Sequence, residues 1–230
     1  MNRLRTRGIV FDNDGLLLDT EPCWTRAQSE VFRRRGSVFD LRAKQALVGT
    51  APETAAAVLE RLLAAPGHGA ELSAELYALA LDEIAAAATP RLGAVELIAE
   101  LQGRLPLAVA SNAPRHHLLA GLRRVGLEDA FDAILGVDDV AEPKPAPDLY
   151  LSACAALRIP SRDAIAFEDS PPGVAAARAA GLFVIGIPSV PGITLDADLV
   201  GTSLEDPVVR ATIGLLPASS THPHERMDLL

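Results

Sequence analysis

Two aspartates in the stretch Asp12-Asn13-Asp14-Gly15 are the residues of this chain best suited to chemistry. They follow Ile9, Val10 and Phe11, a short apolar run rich in β-formers that predicts a buried strand. Carboxylates are poor strand residues, so two of them where a strand ends call for a reason. At the carboxyl end of a central strand in an open α/β sheet, side chains project into the crevice where ligands bind. The alternative is a simple turn, because Asp, Asn and Gly dominate turns.

The same stretch does not fit a calcium-binding loop. Such a loop needs a third oxygen ligand before its glycine and a Glu at its twelfth position. Here Gly15 comes too early, and the apolar run Leu16-Leu17-Leu18 follows it. Because Gly15 permits a turn, one aspartate can present its side chain to a ligand while the other presents its carbonyl oxygen.

Three more polar clusters follow predicted strands or sheet-edge loops. Ser111-Asn112 ends a predicted strand at 105–110, Glu168-Asp169 ends another at 164–167, and Lys144 lies in the loop Glu142-Pro143-Lys144-Pro145. Parallel strands bring their carboxyl ends to one edge of a sheet. We therefore expect these clusters to meet Asp12 and Asp14 at that edge.

Such a crevice would hold four carboxylates. At about 4 Å and an effective dielectric constant of about 20, each like-charged pair costs on the order of 4 kcal/mol. Either some of these groups are protonated or a cation lies among them. Hard oxygen ligands without His or Cys suit Mg²⁺, which commonly binds one or two carboxylates together with phosphate oxygens of a substrate.

The remaining polar groups suit a phosphate. Ser111 and Asn112 offer hydrogen bonds, and the N–H groups that start the following helix add a favourable dipole. Among 21 basic residues only Lys44 and Lys144 are lysines, so a Lys between two prolines indicates that a compact ammonium is needed there. The alternative is a solvated loop lysine. These parts fit phosphoryl transfer through an aspartyl-phosphate, in which a carboxylate attacks phosphorus and a second acid protonates the leaving oxygen.

The elements that would position these groups alternate along most of the chain. Strands are predicted near 9–11, 105–110, 134–135, 164–167 and 183–187, with helices between the later ones. This order predicts an α/β fold with a doubly wound parallel sheet. From Glu21 to about Ala88 the pattern is almost entirely helical. We expect a core domain at 1–17 and 89–230, an inserted all-helical cap at 18–88 that can act as a lid, and a flexible tail at 217–230.

The composition excludes several other classes of protein. A net charge of −9 and a pI near 5.0 argue against a nucleic-acid-binding surface and a polybasic membrane patch. No apolar run approaches the roughly 18 residues of a membrane helix, and too few apolar residues follow the basic start for a secretory signal. Cys23 and Cys154 lie far apart, which predicts packing residues in a cytoplasmic protein with reduced thiols. The residues do not indicate an oligomeric state, and a monomer is the default.

In this set of motifs the chain resembles the haloacid dehalogenase-like (HAD) hydrolases, and more narrowly their β-phosphoglucomutase-like phosphatases with a small helical cap. The motifs are Asp12-x-Asp14-Gly15, Ser111-Asn112, Lys144 and Glu168-Asp169-Ser170, in family order between about 9 and 188. The resemblance implies a Rossmann-like core, Asp12 as nucleophile and Asp14 as general acid and base. It implies Mg²⁺ held by Asp12, the Asp14 carbonyl, Glu168 and Asp169. Ser111, Asn112 and Lys144 would bind the phosphoryl group.

The chain departs from the mutases of that family. They carry a His where this chain has Trp24, and basic residues beside the cap glycine, here Gly49, where this chain has Val48 and Pro52. This favours a phosphatase acting on a small phosphorylated metabolite, such as a sugar phosphate, over a phosphomutase. A non-catalytic phosphometabolite sensor is the third alternative. Asn13 stands where the family usually has an apolar residue.

His116 and His117 begin the helix that follows Ser111. One of them could face the crevice, but we expect both to lie on the surface.

Overall fold

The computed structural model describes residues 6–48, 50–190 and 192–215. The predicted tail at 217–230 and the cap glycine Gly49 lie outside the described residues. The strands are β1 (Gly8–Phe11), β2 (Leu18–Asp19), β3 (Thr89–Pro90), β4 (Leu107–Ala110), β5 (Ala133–Leu135), β6 (Ala164–Glu168), β7 (Phe183–Gly186) and β8 (Leu199–Val200). The α-helices are α1 (Glu21–Arg33), α2 (Leu41–Leu47), α3 (Pro52–Leu62), α4 (Gly69–Ala87), α5 (Ala94–Leu101), α6 (Arg115–Arg124), α7 (Asp148–Ala156), α8 (Pro171–Ala179) and α9 (Pro207–Thr212).

In the described ranges, β1 and β4 to β8 form a parallel sheet with the order β5-β4-β1-β6-β7-β8. From β1 the chain moves outward through β4 and β5, then returns to the other side of β1 for β6. The strand order therefore reverses at β1, and open α/β sheets bind ligands beyond the carboxyl ends of the strands at such a point.

Both faces of the sheet are covered by helices. Along β1, Ile9 and Phe11 point into one apolar cluster, with α5, α6 and α9, whereas Val10 points into the other, with α7 and α8. The alternation follows from the two-residue repeat of a strand, and burial on both faces explains why the strands are continuous apolar runs. The predicted doubly wound parallel sheet is confirmed.

Helices α1 to α4 lie between β2 and β3, which pair antiparallel with Leu18 opposite Pro90 and Asp19 opposite Thr89. The four helices bury an apolar cluster of their own, with members such as Ala27, Leu59 and Leu76. This helical segment corresponds to the predicted cap at 18–88, and its boundaries as a domain stay a prediction. Among the described residues, no helix is long and apolar enough to cross a membrane.

Candidate active site

The chain turns sharply after β1. The backbone N–H groups of Leu17 and Leu18 both donate to the Asn13 carbonyl at 3.0 Å, and Gly15 has a φ of +91°. A Cβ atom on Gly15 would lie 2.2 Å from Asp169 Oδ2. Glycine is therefore required here both by the backbone conformation and by the close approach of the Asp169 carboxylate.

Lys144 lies at the centre of a buried ionic cluster. Its Nζ donates to Asp12 Oδ1 at 2.6 Å, to Glu168 Oε1 at 2.6 Å and to the Ala110 carbonyl at 2.8 Å. Three bonds use all three N–H groups of an ammonium. The side chain of Lys144 is only 4% exposed, so it is not a solvated loop lysine.

Asn112 fixes the loop that carries Lys144. Asn112 Oδ1 accepts from the backbone N–H of Lys144 at 2.8 Å, and Asn112 Nδ2 donates to the Lys144 carbonyl at 3.2 Å. This reciprocal pair ties the end of β4 to the proline-rich loop. It therefore holds Lys144, which lies 32 positions after Asn112, where its side chain contacts Asp12.

Glu168 lies beneath the cavity and is fully buried. Its Oε1 accepts from Lys144 and from the Tyr150 hydroxyl at 2.6 Å, and its Oε2 accepts from the backbone N–H of Asp169 and from the N–H and hydroxyl of Ser170. A buried carboxylate needs such partners. Gly173, in the first turn of α8, permits the close approach, since a Cβ there would lie 1.9 Å from Glu168 Oε1.

Asp14 is held by two hydroxyls. Thr20 Oγ1 donates to Asp14 Oδ1 at 2.6 Å and Ser111 Oγ donates to Asp14 Oδ2 at 3.2 Å. Thr20 is the residue before α1 and its hydroxyl makes no capping bond in the described chain. The start of α1 is thereby coupled to the end of β1.

Three carboxylates form the acidic part of the site. One oxygen each from Asp12, Glu168 and Asp169 lies within 4.8 Å of the other two. Burial and the neighbouring carboxylates raise the pKa of Asp12 well above its usual range, although Lys144 opposes this, and burial with the Glu168 charge raises the pKa of Asp169 to about 7. Burial lowers the pKa of Lys144, but the charges of Asp12 and Glu168 outweigh it, so the pKa lies above its usual value and the ammonium keeps its proton.

This donor set fits a divalent cation. Three buried carboxyl groups face one buried ammonium, so their negative charge is in excess when all three are ionised, and all their ligand atoms are hard oxygens. Mg²⁺ suits such ligands.

A cavity of about 510 Å³ lies above this cluster, between the sheet edge and the helical segment. Six of the seven predicted site residues line it: Asp12, Asp14, Ser111, Asn112, Lys144 and Asp169. Glu168, the seventh, contacts Lys144 below it. The structure thus brings all seven together, and their chemical roles stay predictions.

Sequence reasoning missed some of the supporting residues. Thr20 was visible only as a hydroxyl residue before a helix, a common capping position. Tyr150 gave no signal, because a tyrosine in the apolar face of α7 is typical of a core residue.

The prediction that His116 and His117 both lie on the surface is wrong for His117. His116 is exposed, but His117 is 2% exposed. Its Nε2 lies 2.7 Å from the Tyr77 carbonyl of α4, and its ring stacks on Trp24 with 6.0 Å between centroids. A carbonyl can only accept, so Nε2 carries the proton. Burial lowers the pKa of His117, which keeps the ring neutral, and only a neutral ring fits this apolar contact between α6 and the cap helices.

Comparisons with known proteins agree with this geometry. A family model described as haloacid dehalogenase-like hydrolase matches residues 6–181. The chain is 36% identical to validoxylamine A 7'-phosphate phosphatase of Streptomyces hygroscopicus subsp. limoneus, over 77% of this chain and 84% of that protein. It is 32% identical to fructose-1-phosphate phosphatase YqaB of Escherichia coli, over 80% of this chain and 97% of that protein. The crystal structure of CbbY from Rhodobacter sphaeroides in complex with phosphate superposes with a TM-score of 0.77 at 30% identity, covering 86% of this chain and 95% of that one.

Proposed function

The chain belongs to the haloacid dehalogenase-like hydrolases, and we propose that it is a Mg²⁺-dependent phosphatase that hydrolyses a small phosphorylated metabolite, such as a sugar phosphate, through an aspartyl-phosphate. The observation that carries this proposal is the 2.6 Å contact between Lys144 Nζ and Asp12 Oδ1, in a buried cluster with Asp14 beside it. The names of the two phosphatases reported above support the substrate class, since each specifies a small phosphorylated compound as the substrate.

In the first step Asp12 is the nucleophile. Lys144 binds Oδ1, whereas Oδ2 makes no hydrogen bond within the described chain and is the oxygen available for attack. A bond forms between Asp12 Oδ2 and phosphorus, the ester P–O bond breaks, and Asp14 gives its proton to the leaving oxygen. The hydroxyls of Thr20 and Ser111 hold Asp14 in place for this transfer.

In the second step water is the nucleophile. Asp14, now a carboxylate, takes a proton from the water that attacks phosphorus. The bond between phosphorus and Asp12 breaks, which releases phosphate and restores the Asp12 carboxylate and the Asp14 acid. Two easier steps thus replace one difficult one.

Within the chain, the positive charge of Lys144 would balance part of the negative charge of the phosphoryl group. Asp12, Glu168, Asp169 and the Asp14 carbonyl would hold Mg²⁺, which when bound supplies positive charge to phosphoryl oxygens. Ser111 and the Asn112-bound loop would orient the phosphoryl group.

A phosphomutase is the second candidate, because its first step would use the same residues. The cap side of the cavity favours hydrolysis: Trp24 and Val48 line it, and its cation Lys44 is paired with Glu21 at 2.8 Å. Conversion of a sugar 1-phosphate to the 6-phosphate without phosphate release would support the mutase instead.

The test measures phosphate release from 4-nitrophenyl phosphate with and without Mg²⁺. We expect Mg²⁺-dependent turnover that falls by on the order of 10⁴-fold in Asp12→Asn, since an amide is a poor nucleophile. Asp82→Asn, the same change at an exposed position of α4, should retain full activity. Turnover that survives in Asp12→Asn would remove the proposed nucleophile, and ligand binding without any turnover would indicate a sensor.

A further inference from the structure

One stripe of α1 faces the cavity. Glu21, Trp24 and Gln28 stand at positions i, i+3 and i+7, which share one face of a helix, and all three line the cavity. Glu21 and Gln28 are polar, although the neighbouring face of α1 carries Ala27 and Val31 into the apolar cluster of the cap.

Gln28 differs from the other buried polar side chains of the cap. It is 4% exposed, yet its amide makes no hydrogen bond within the described chain, and its Oε1 is shielded from solvent. Ser73 and Tyr77 are buried to a similar degree, but their hydroxyls donate to the carbonyls of Pro52 and Thr50, each at 2.9 Å. Buried polar groups are normally paired. An unpaired amide at the wall of a cavity therefore suggests a partner that is not part of the chain.

A charged pair lies on the same wall. Lys44 of α2 contacts Glu21 Oε1 at 2.8 Å and the Thr25 hydroxyl at 3.1 Å, and both Lys44 and Glu21 line the cavity while half-buried. Because the two charges balance, this wall is not built for a second anionic group. Lys44 supplies donors, Glu21 supplies acceptors, and the amide of Gln28 supplies both.

We propose that Gln28, together with the Glu21–Lys44 pair, is a subsite for the hydroxyl groups of a polyhydroxylated phosphate ester. A hydroxyl both donates and accepts, and so does the amide of Gln28, whose terminal torsion has a broad, roughly two-fold preference that lets either end face the ligand. This inference rests on the proposed phosphatase function, with the phosphoryl group at Asp12 on the opposite, sheet side of the cavity. Gln28 would then distinguish hydroxylated esters from alkyl esters of the same length.

The test compares two six-carbon phosphate monoesters, sorbitol 6-phosphate and hexyl phosphate. We expect the wild type to prefer sorbitol 6-phosphate in kcat/KM. Gln28→Met, which keeps the side-chain length, should reduce that preference at least tenfold, because a hydroxyl then loses its partner. Gln45→Met is the matched control: Gln45 also lines the cavity but is exposed, and its replacement should leave the preference within twofold.

The ratio of kcat/KM for sorbitol 6-phosphate to kcat/KM for hexyl phosphate separates specificity from damage to the fold, because misfolding lowers both values together. A wild type that prefers hexyl phosphate, or a Gln28→Met variant that keeps the wild-type preference, would overturn the subsite. Calorimetric titration of sorbitol 6-phosphate into Asp12→Asn and into Asp12→Asn/Gln28→Met needs no turnover. Weaker binding by the double variant supports the subsite even if phosphatase activity fails, and equal binding overturns it while leaving the phosphatase proposal standing.

Discussion

Lys144 makes the contacts that hold the acidic side chains of the site together. Its ammonium joins a carboxylate that faces the cavity, Asp12, to one that lies beneath it, Glu168. A guanidinium would not make the same contacts, because Arg is planar and larger, whereas the compact ammonium of Lys144 is only 4% exposed between its partners. This gives a reason for a Lys between Pro143 and Pro145 in a chain whose one other lysine is Lys44.

Replacing Lys144 should be costly even without substrate. Lys144→Met leaves two buried carboxylates without their cation, and breaking a buried pair costs about 3–5 kcal/mol. Lys44→Met, at the half-exposed pair with Glu21, should cost about 0–1 kcal/mol. Urea unfolding monitored by circular dichroism measures both free energies. Equal losses in the two variants would mean that the Lys144 cluster contributes no more than a surface pair.

Asn13, unlike Lys144, is a buried polar residue with a side-chain oxygen that is unpaired among the described residues. It is 2% exposed, and its Oδ1 has no hydrogen-bond partner in the described chain. Leaving such a group unpaired costs about 1–3 kcal/mol. We expect Asn13→Leu to raise the free energy of unfolding by about 1 kcal/mol, measured in urea. A lower stability would show that the amide is satisfied in solution, for instance by water.

At this scale the sequence identified the residues that carry polar chemistry at strand ends. It could do so because carboxylates at the ends of predicted buried strands, and a lysine between two prolines, are unusual residues at those positions. It could not identify Tyr150 or place His117, because their partners, Glu168 and the Tyr77 carbonyl, are 18 and 40 residues away. No local pattern encodes such a contact.

Among the elements, the start of α8 shapes the site most directly. The helix begins under the Glu168 carboxylate, with Ser170 as its N-cap and Gly173 in its first turn. The carboxylate accepts bonds from the backbone N–H groups of Asp169 and Ser170 just before this helix. The position of β6 relative to α8 therefore depends on the absence of a side chain at Gly173.

Gly173→Ala tests this contact. An alanine in a helix is normally worth about 1 kcal/mol over glycine, but here its Cβ would overlap the Glu168 carboxyl group. We expect a loss of several kcal/mol in stability and a loss of activity. Ala175→Gly, on the exposed side of the same helix, should cost about 1 kcal/mol and leave kcat unchanged. Thermal unfolding and phosphate release distinguish the two outcomes, and a stable, active Gly173→Ala would contradict the account.

The contact between α6 and α4 should respond to pH through His117. Its pKa in the folded chain is below the ordinary value of 6.5, so the unfolded chain takes up a proton first as pH falls. The stabilising effect of the neutral ring is thus complete above about pH 6.5 and declines as pH falls through that value. His117→Gln should be less stable than wild type at pH 7.5, and the difference in melting temperature should narrow by pH 5.5.

The control for this titration is Gln45→Met, a change at an exposed side chain of α2 that carries no titratable group. Its difference in melting temperature from the wild type should stay constant over the same range. If the difference in melting temperature between His117→Gln and the wild type does not narrow, the ring is protonated or solvated in the folded chain.

The pattern of elements was predictable where runs were long and was missed where they were short. The five strands of the sheet with three or more residues lie within two residues of their predicted positions, because buried parallel strands are apolar throughout. The two-residue strands β2, β3 and β8 are too short to show any period. The short helix α9, with Pro207 at its start, was missed for the same reason.

In the molecule as a whole, the buried cluster of carboxyl groups should make the stability of the fold depend on a bound cation. Asp12, Glu168 and Asp169 lie at the ends of two central strands, and among the described residues Lys144 is the cation paired with Asp12 and Glu168. The folded chain concentrates these charges, whereas the unfolded chain separates them. A cation that binds only the folded chain must therefore stabilise it.

We expect Mg²⁺ at about ten times its dissociation constant to raise the melting temperature by about 3–5 °C at neutral pH, since this excess corresponds to about 1.4 kcal/mol. EDTA should reverse the shift, and Asp169→Asn should abolish it. Asp82→Asn, at an exposed site, should respond like the wild type. A shift that persists in Asp169→Asn would place the ion elsewhere. Scanning calorimetry with and without the ion gives the measurement.

The antiparallel pair of β2 and β3 brings Leu18 and Pro90 side by side, so the chain leaves the sheet-bearing half and re-enters it at neighbouring points. A segment whose two ends adjoin in this way can be exchanged for another of different length without moving either end. If the helices between β2 and β3 are replaced by those of a relative, spliced at these two strands, the chimera should therefore take on the substrate preference of that relative. Its phosphoryl chemistry should remain that of this chain.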